Sequence, residues 1–374
     1  MTAYRRLVGS RPLVTTRSVA SITVLLLIGL RTAAQDPINF FPGIDDNFEQ
    51  IRFHTGRTGN NQPEISSVLP EIRGSLSRWS LMQWSQLQVI SPTSLKTNDP
   101  ATRDSRLGLA KYAFSAPDGH SHVWIYQDPT SRHPVYELYE RGGALTGAGG
   151  ANIFLASDAP AGGVSLDHEL LFEVDARITR ASVKARLAAQ QQGAVLAQVF
   201  SGFVIQFPDL DGKTLSTLFL QLPIARSIPA LSEYRSCASG AKRRTIIFGA
   251  LPKAASYLPF EVDRAPLKHL RYNINSYICE LLTRPIMCTD STGHKANWSV
   301  PGGAIGFRDW KIIKMYIGLE TEIQDIRPRS DMKGPQGQVE VALQLGNLRV
   351  TPDHQRDFNL ASCADGAPGD LPPQ

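Results

Sequence analysis

From about residue 76 to residue 350, short apolar or alternating runs follow one another between turn residues, and that rhythm admits few folds. In order the runs are SRWSLMQW (77–84), GLAKYAF (108–114), HVWIYQD (122–128), VYELYE (135–140), NIFLAS (152–157) and ELLFEVDARIT (169–179). VFSGFVIQF (199–207), LSTLFLQLPI (215–224), RTIIFGAL (244–251), HLRYNINSYI (269–278), WKIIKMYIGLE (310–320) and VEVALQLGNLRV (339–350) complete the series. Side chains on a strand point to opposite faces at every second residue. Val339, Val341, Leu343 and Leu345 therefore share one face, as do Leu218, Leu220, Leu222 and Ile224. In the long run, Phe172, Val174, Ala176 and Ile178 face one way and Glu173, Asp175 and Arg177 the other. Such half-buried strands suit antiparallel sheets, and no βα alternation with glycine-rich loops is visible. The pattern predicts an all-β chain: an antiparallel β-sandwich of the jelly-roll or concanavalin-like kind with one or two short helices. The strongest helical stretch is ASVKARLAAQQQG (181–193), rich in helix formers and closed by Gly193.

The first 34 residues read as a secretory signal peptide. Arg5, Arg6, Arg11 and Arg17 precede the apolar run Val19–Leu30, and Thr32-Ala33-Ala34 supplies small residues for cleavage near Ala34. The run is short for a bilayer span, which needs about 20 residues. Residues 35–75 are rich in Pro, Gly, Asn and Asp and are expected to be extended, with little regular structure. The sandwich is expected over 76–360, with a less favoured split near 227–243, and a disordered tail over 361–374. No later segment is long and apolar enough to span a membrane after signal cleavage.

Charge follows from this division. The chain has 39 Lys+Arg and 34 Asp+Glu; residues 1–34 hold five of the arginines and no acid, so the remainder is formally neutral. A neutral surface argues against a protein that works by neutralising phosphates, so no nucleic-acid partner is expected. The four cysteines, Cys237, Cys279, Cys288 and Cys363, lie in an exported chain and read as two disulfides. Three pairings are open. The short spacing favours Cys279 with Cys288, which would leave Cys237 with Cys363.

Three groups of residues carry candidate chemistry. Glu173, Asp175 and Arg177 project from one strand face, with the carboxylates about 6.5–7 Å apart along the strand. His122, Trp124 and Tyr126 form an aromatic row, and flat rings on a sheet stack against sugar C–H faces. Asn273, Asn275 and Tyr277 alternate in the run 269–278, and a row of amides and a phenol suits polyhydroxylated ligands. The candidate ligand-binding residues are thus Trp124, Tyr126, Glu173, Asp175, Arg177, Asn273 and Tyr277. His120 and His122 form a His-x-His pair without a third ligand at a recognisable spacing, so no metal and no cofactor is expected. Asp209 and Asp211 in PDLDG lack the acidic series of a calcium loop. No Gly-x-Ser-x-Gly nucleophile elbow occurs, and Asn297-Trp298-Ser299 is a formal glycosylation sequon, relevant in a eukaryotic source.

Glu173-Val174-Asp175 resembles the first half of the strand motif of sandwich glycosidases of the laminarinase and lichenase kind. Arg177 and Ile178 stand where that motif needs its second Glu, so the resemblance supplies no nucleophile–acid pair. Residues 306–320 and 339–350, with Trp310 leading into a Tyr-Ile-Gly-Leu-Glu strand, look like the end of jelly-roll carbohydrate-binding and lyase domains. That likeness is one of fold and covers no catalytic motif. The first expectation is an exported protein that binds a carbohydrate or similar polar polymer on a sheet face. The alternatives are a polysaccharide-degrading hydrolase or lyase using Glu173 or Asp175, and a structural or envelope protein without a small ligand.

Overall fold

The computed structural model describes residues 38–39, 52–57, 60–67, 79–84, 88–142, 151–185, 195–208, 214–227, 234–239, 244–250, 257–282, 285–290, 292–298, 307–323, 337–358 and 363. The expected signal peptide and the residues beyond 363 lie outside them. The strands in chain order are β1 (Ile38–Asn39), β2 (Arg52–Arg57), β3 (Asn60–Ser67), β4 (Trp79–Trp84), β5 (Tyr112–Ser115), β6 (Ser121–Gln127) and β7 (Pro134–Gly142). They continue with β8 (Ala151–Asp158), β9 (Val164–Ser165), β10 (His168–Ala185), β11 (Val195–Pro208), β12 (Leu215–Arg226) and β13 (Tyr234–Ser239). The last are β14 (Arg244–Gly249), β15 (Lys268–Asn273), β16 (Ile286–Asp290), β17 (Lys295–Trp298), β18 (Lys311–Ile323) and β19 (Gly337–Asp357). Among the described residues one α-helix, α1 (Ile274–Leu282), follows β15 directly.

These strands form two sheets, giving an all-β sandwich. The seven-stranded sheet runs β15-β10-β19-β7-β6-β5, with β1 beside β19. The twelve-stranded sheet runs β17-β16-β13-β14-β12-β11-β18-β8-β4-β2-β3, with β9 beside β18. Pairing is antiparallel except for β2–β4, β12–β14 and β13–β16. Because β14 joins both β12 and β13, the segments on either side of 227–243 belong to one sheet.

The core lies between the sheets, on the faces that the alternation marks. Phe172, Val174, Ala176 and Ile178 are buried, as are Val339, Val341, Leu343 and Leu345 from the same sheet and Leu218, Leu220, Leu222 and Ile224 from the other. Phe172 meets Phe203 edge-on across the layers, with ring centroids 5.4 Å apart. Trp310 is fully buried and stacks on Phe207 at 4.5 Å. Burial of this apolar area is the main stabilising term of the sandwich.

Local expectations fail in four places, each for a physical reason. Residues 181–185, expected to begin a helix, continue β10, because each pairs with β19 up to Ala185 opposite Gly337. The ladder overrides a modest helix propensity there. The remainder of that stretch lies outside the described residues. In 269–278 the strand stops at Asn273, whose side-chain oxygen accepts the backbone N–H of Ser276 at 3.2 Å. Asn273 is therefore an N-cap, and Asn275 and Tyr277 sit in α1. Residues 52–57 and 60–67, expected to lack regular structure, form β2 and β3 against β4. Finally, the disulfides are Cys237–Cys288 and Cys279–Cys363. Cys237 and Cys288 face each other in register on β13 and β16. Cys279 lies on α1, and its bond ties the helix to the segment after β19.

On the outer side of the large sheet, two glycines seat rings from the neighbouring strand. Gly318 opposes Phe154, and Gly202 opposes Tyr316. A Cβ at Gly318 would lie 1.9 Å from Phe154 Cδ1 and 2.5 Å from the Ile153 carbonyl oxygen. Gly318→Ala is therefore expected to destabilise the chain by about 1–3 kcal/mol, read as a lower denaturant midpoint at unchanged slope. The disulfides close loops of 51 and 84 residues. In the chain-entropy model each stabilises by about 4 kcal/mol. Reduction should add about four hydrogens to the intact mass and lower the unfolding free energy; an unchanged mass would contradict the pairing.

Candidate functional site

The outer face of the seven-stranded sheet carries the polar residues singled out in the sequence, in rows that cross the strands. One row joins Trp124 on β6, Glu137 on β7, Gln344 on β19 and Arg177 on β10, each opposite the next. From Arg177 to Glu137 it is hydrogen-bonded through side chains. Arg177 Nε donates to Gln344 Oε1 at 2.8 Å, and Gln344 Nε2 donates to Glu137 Oε2 at 2.6 Å and to Asp104 Oδ2 at 3.1 Å. Arg177 also reaches the Ala265 carbonyl at 3.2 Å. Glu137 Oε1 lies 3.1 Å from His122 Nε2. Burial holds the His122 imidazole below its ordinary pKa, and the bond to Glu137 offsets this only in part. The ring is therefore neutral at pH 7, with Nε2–H donating to the carboxylate. Arg177, Gln344, Glu137 and His122 are all buried. A connected polar chain of this kind fixes geometry and leaves little for a ligand.

The aromatic row is likewise engaged internally. Trp124 stacks on His122 at 3.7 Å and donates its indole N–H to Ser115 Oγ at 3.2 Å. Tyr126 is 1% exposed and donates to the Thr102 carbonyl at 2.9 Å. Burial raises its pKa above the ordinary phenol range. Tyr126 is therefore not a ligand-facing ring. Tyr277 is also buried, in α1. Asn273 caps the helix and bonds Glu169. Their expected row on an exposed face does not form, because the backbone turns helical at Ile274.

The half-open part of the face lies beside this row, around Glu173 and Asp175. Glu173 pairs in register with Arg349 on β19 and Arg271 on β15. Its Oε2 accepts from Arg349 Nε at 2.8 Å, while Oε1 lies 3.3 Å from His269 Nε2 and 3.6 Å from Arg271 Nε. Burial alone would raise the Glu173 pKa. Arg349, His269 and Arg271 outweigh it and hold the carboxyl below its usual range. Asp175 Oδ1 lies 2.7 Å from His269 Nδ1, and Oδ2 accepts from the Asn347 amide. His269 thus bridges two carboxylates.

A bulge sets this geometry. Glu173 opposes Arg349 but Asp175 opposes Gly346, so β19 carries one extra residue here. Asn347 takes up the slack with φ of 50°. A left-handed non-glycine residue at a bulge is a local strain, and bulges commonly re-aim side chains beside binding sites. Next to it is a cleft of about 420 Å³. Asp175, Arg177, Gln344, Gly346 and Asn347 line it from the sheet, and Arg106, Asp128, His133 and Leu267 from the surrounding loops. The volume falls in the range of small-ligand sites. The sequence pointed to Asp175 and Arg177. It did not point to His269, Arg271, Asn347 or Arg349, whose roles depend on strand partners; the Gly346-Asn347 break in alternation was the available signal.

Among the described residues, no group of three or more His, Cys, Asp or Glu is placed to hold a metal ion, and no helix is long and apolar enough to cross a membrane. No protein-family model matches the chain, and no curated protein matches it. Among solved structures it is similar to a family 11 xylanase from Neocallimastix patriciarum, at 8% identity over 65% of this chain and 90% of that one, with a TM-score of 0.30. A loop-swap mutant of Xyn11A from that organism matches over the same shares at a TM-score of 0.29. Superpositions this loose carry no weight for function.

The Glu173 cluster should be visible in the acid dependence of stability. A carboxyl whose folded pKa is depressed stabilises above its unfolded pKa, about 4.3. That contribution is lost as pH falls through the folded value. Denaturant titrations between about pH 5 and pH 2 should show a smaller loss for Glu173→Gln than for the wild type. Equal slopes would place Glu173 outside the acid-labile set.

Proposed function

We propose that the chain is an exported β-sandwich protein that binds a carbohydrate or similar polyhydroxylated polymer at the cleft beside Asp175. The observation that carries this reading is the cleft's combination of the Asp175 carboxylate, the Arg106 guanidinium and the Asn347 amide over a rigid sheet floor. Sugars offer hydroxyls that both donate and accept, and this lining offers both kinds of partner. Asp175 keeps lone pairs beyond those taken by His269 and Asn347. Loops 104–108, 128–134 and 264–267 wall the cleft, which suits a chain-like ligand lying along the sheet.

The aromatic part of the expectation is revised. Trp124 belongs to the same sheet face but stacks on His122 and does not line the cleft. Support for recognition therefore rests on hydrogen bonding. Binding is also better supported than hydrolysis. Glycosidic cleavage by paired carboxyls needs one kept protonated near neutral pH, whereas Arg349, with His269 and Arg271 beside it, holds the Glu173 carboxyl below its usual range. Export rests on the N-terminal pattern and agrees with the two disulfides.

The test is an array of neutral and acidic oligosaccharides, followed by calorimetry on whichever binds. Asp175→Ala should weaken binding at least tenfold, about 1.4 kcal/mol, while Lys295→Ala, on β17 of the other sheet, should not change it. No bound glycan, or binding indifferent to Asp175, would overturn the proposal. Release of reducing ends that is abolished by Glu173→Gln would replace it with the hydrolytic reading.

A further inference from the structure

We propose that Asn297 carries an N-linked glycan and that this glycan shields the edge that β17 forms in the twelve-stranded sheet among the described residues. The inference rests on the export part of the reading above. Of the eleven asparagines in the sequence, only Asn297 is followed by the x-Ser/Thr spacing that attachment requires. It stands on β17, which is the terminal strand on its side of the sheet among the described residues. Lys295, Ala296 and Asn297 are all exposed.

Register gives the direction of the side chain. Asn297 opposes Met287 on β16, and the flanking pair is Ile286 with Trp298. Ile286 and Cys288 are buried in the core, while Met287 is 51% exposed. Alternation therefore puts Asn297 and Met287 together on the outward side of the hairpin. Asn297 is exposed, so a sugar attached there points away from the described core.

The position also answers a structural need. A terminal strand presents backbone N–H and C=O groups that can pair with another chain, and an exposed apolar neighbour adds to the hazard. β17 is only four residues long, which limits that surface. A bulky, solubilising sugar on its second-last residue would cover both the edge and Met287. The Cys237–Cys288 bond fixes β16 to β13 and so holds the hairpin in the sheet that the sugar would protect.

The experiment uses the full chain secreted by its source. Treatment with a peptide-N-glycosidase should lower the intact mass and leave a carboxylate at this position, read from the mass of its tryptic peptide. In the same host, Asn297→Gln and Ser299→Ala should both lose the mass shift, and Ser299→Thr should keep it. Ser299 lies outside the described residues, and its substitution tests the sequon while keeping the Asn297 side chain. Light scattering should show more self-association for Asn297→Gln than for the wild type. An unmodified Asn297 in the secreted chain overturns the attachment. A glycan whose removal leaves association unchanged overturns the shielding role. A chain retained in the cytosol would instead defeat the export reading on which both depend.

Discussion

The antiparallel pairing of β10 with β19 is the constraint on which the rest of this structure hangs. The two strands are 18 and 21 residues long and stay in register from His168–Asp357 to Ala185–Gly337, with three irregularities. Every strand of the smaller sheet is placed relative to this ribbon. β15 adds to the free side of β10, and β7 and β1 add to β19. Inward, the ribbon presents two apolar rows, Phe172 to Ile178 and Val339 to Leu345, that close the core against β11 and β12. Outward, it presents Glu173, Asp175, Arg177 and Gln344. One pairing therefore sets the apolar interior and the polar exterior together, because period-two alternation gives a strand no way to change one face without the other.

That coupling explains which parts of the fold the sequence made legible. The core rows were readable because their alternation is uninterrupted and strongly apolar. The sandwich class followed from the number and spacing of such runs. What escaped were places where a partner outweighs local preference. Ala181 to Ala185 favour a helix in isolation, yet β19 supplies a ladder partner for each of them. Asn273 to Ile278 alternate like a strand, yet the Asn273 side chain caps a helix there. Asn275 then bonds Leu170 N–H and the His168 carbonyl at the start of β10, a contact that spans more than a hundred residues. The cysteine pairing failed for the same reason. A nine-residue spacing suggested a local staple, but Cys288 has Cys237 as its cross-strand neighbour.

The site was less legible than the fold because it is made across strands. Glu173, Asp175 and Arg177 share one strand and were readable as a polar face. Their separate fates depend on β19. Arg177 is opposite Gln344 and is drawn into a buried chain that ends at His122. Glu173 is opposite Arg349 and is neutralised by it. Asp175 alone falls at the bulge, where Gly346 provides no side chain and Asn347 turns left-handed. No property of residues 173–177 taken alone distinguishes these three environments. The one trace in the sequence is the pair Gly346-Asn347, which interrupts an otherwise regular strand.

The electrostatics then decide what such a face can do. Burying charges against a sheet is costly unless each is matched and hydrogen-bonded. Arg177, with Asp104 and Glu137, meets this condition through Gln344, and Glu173 meets it through Arg349, Arg271 and His269. A face whose charges are matched internally is rigid, and the matching holds the Glu173 carboxyl below its usual range. Rigid ionised groups beside an open cleft can recognise hydroxyls by direction and distance, which is what binding requires. Proton transfer to a leaving group asks for the opposite: a carboxyl that burial leaves unmatched and protonated. The matching that holds the outer face of β10 in place is thus the feature that supports the proposed recognition role over acid catalysis.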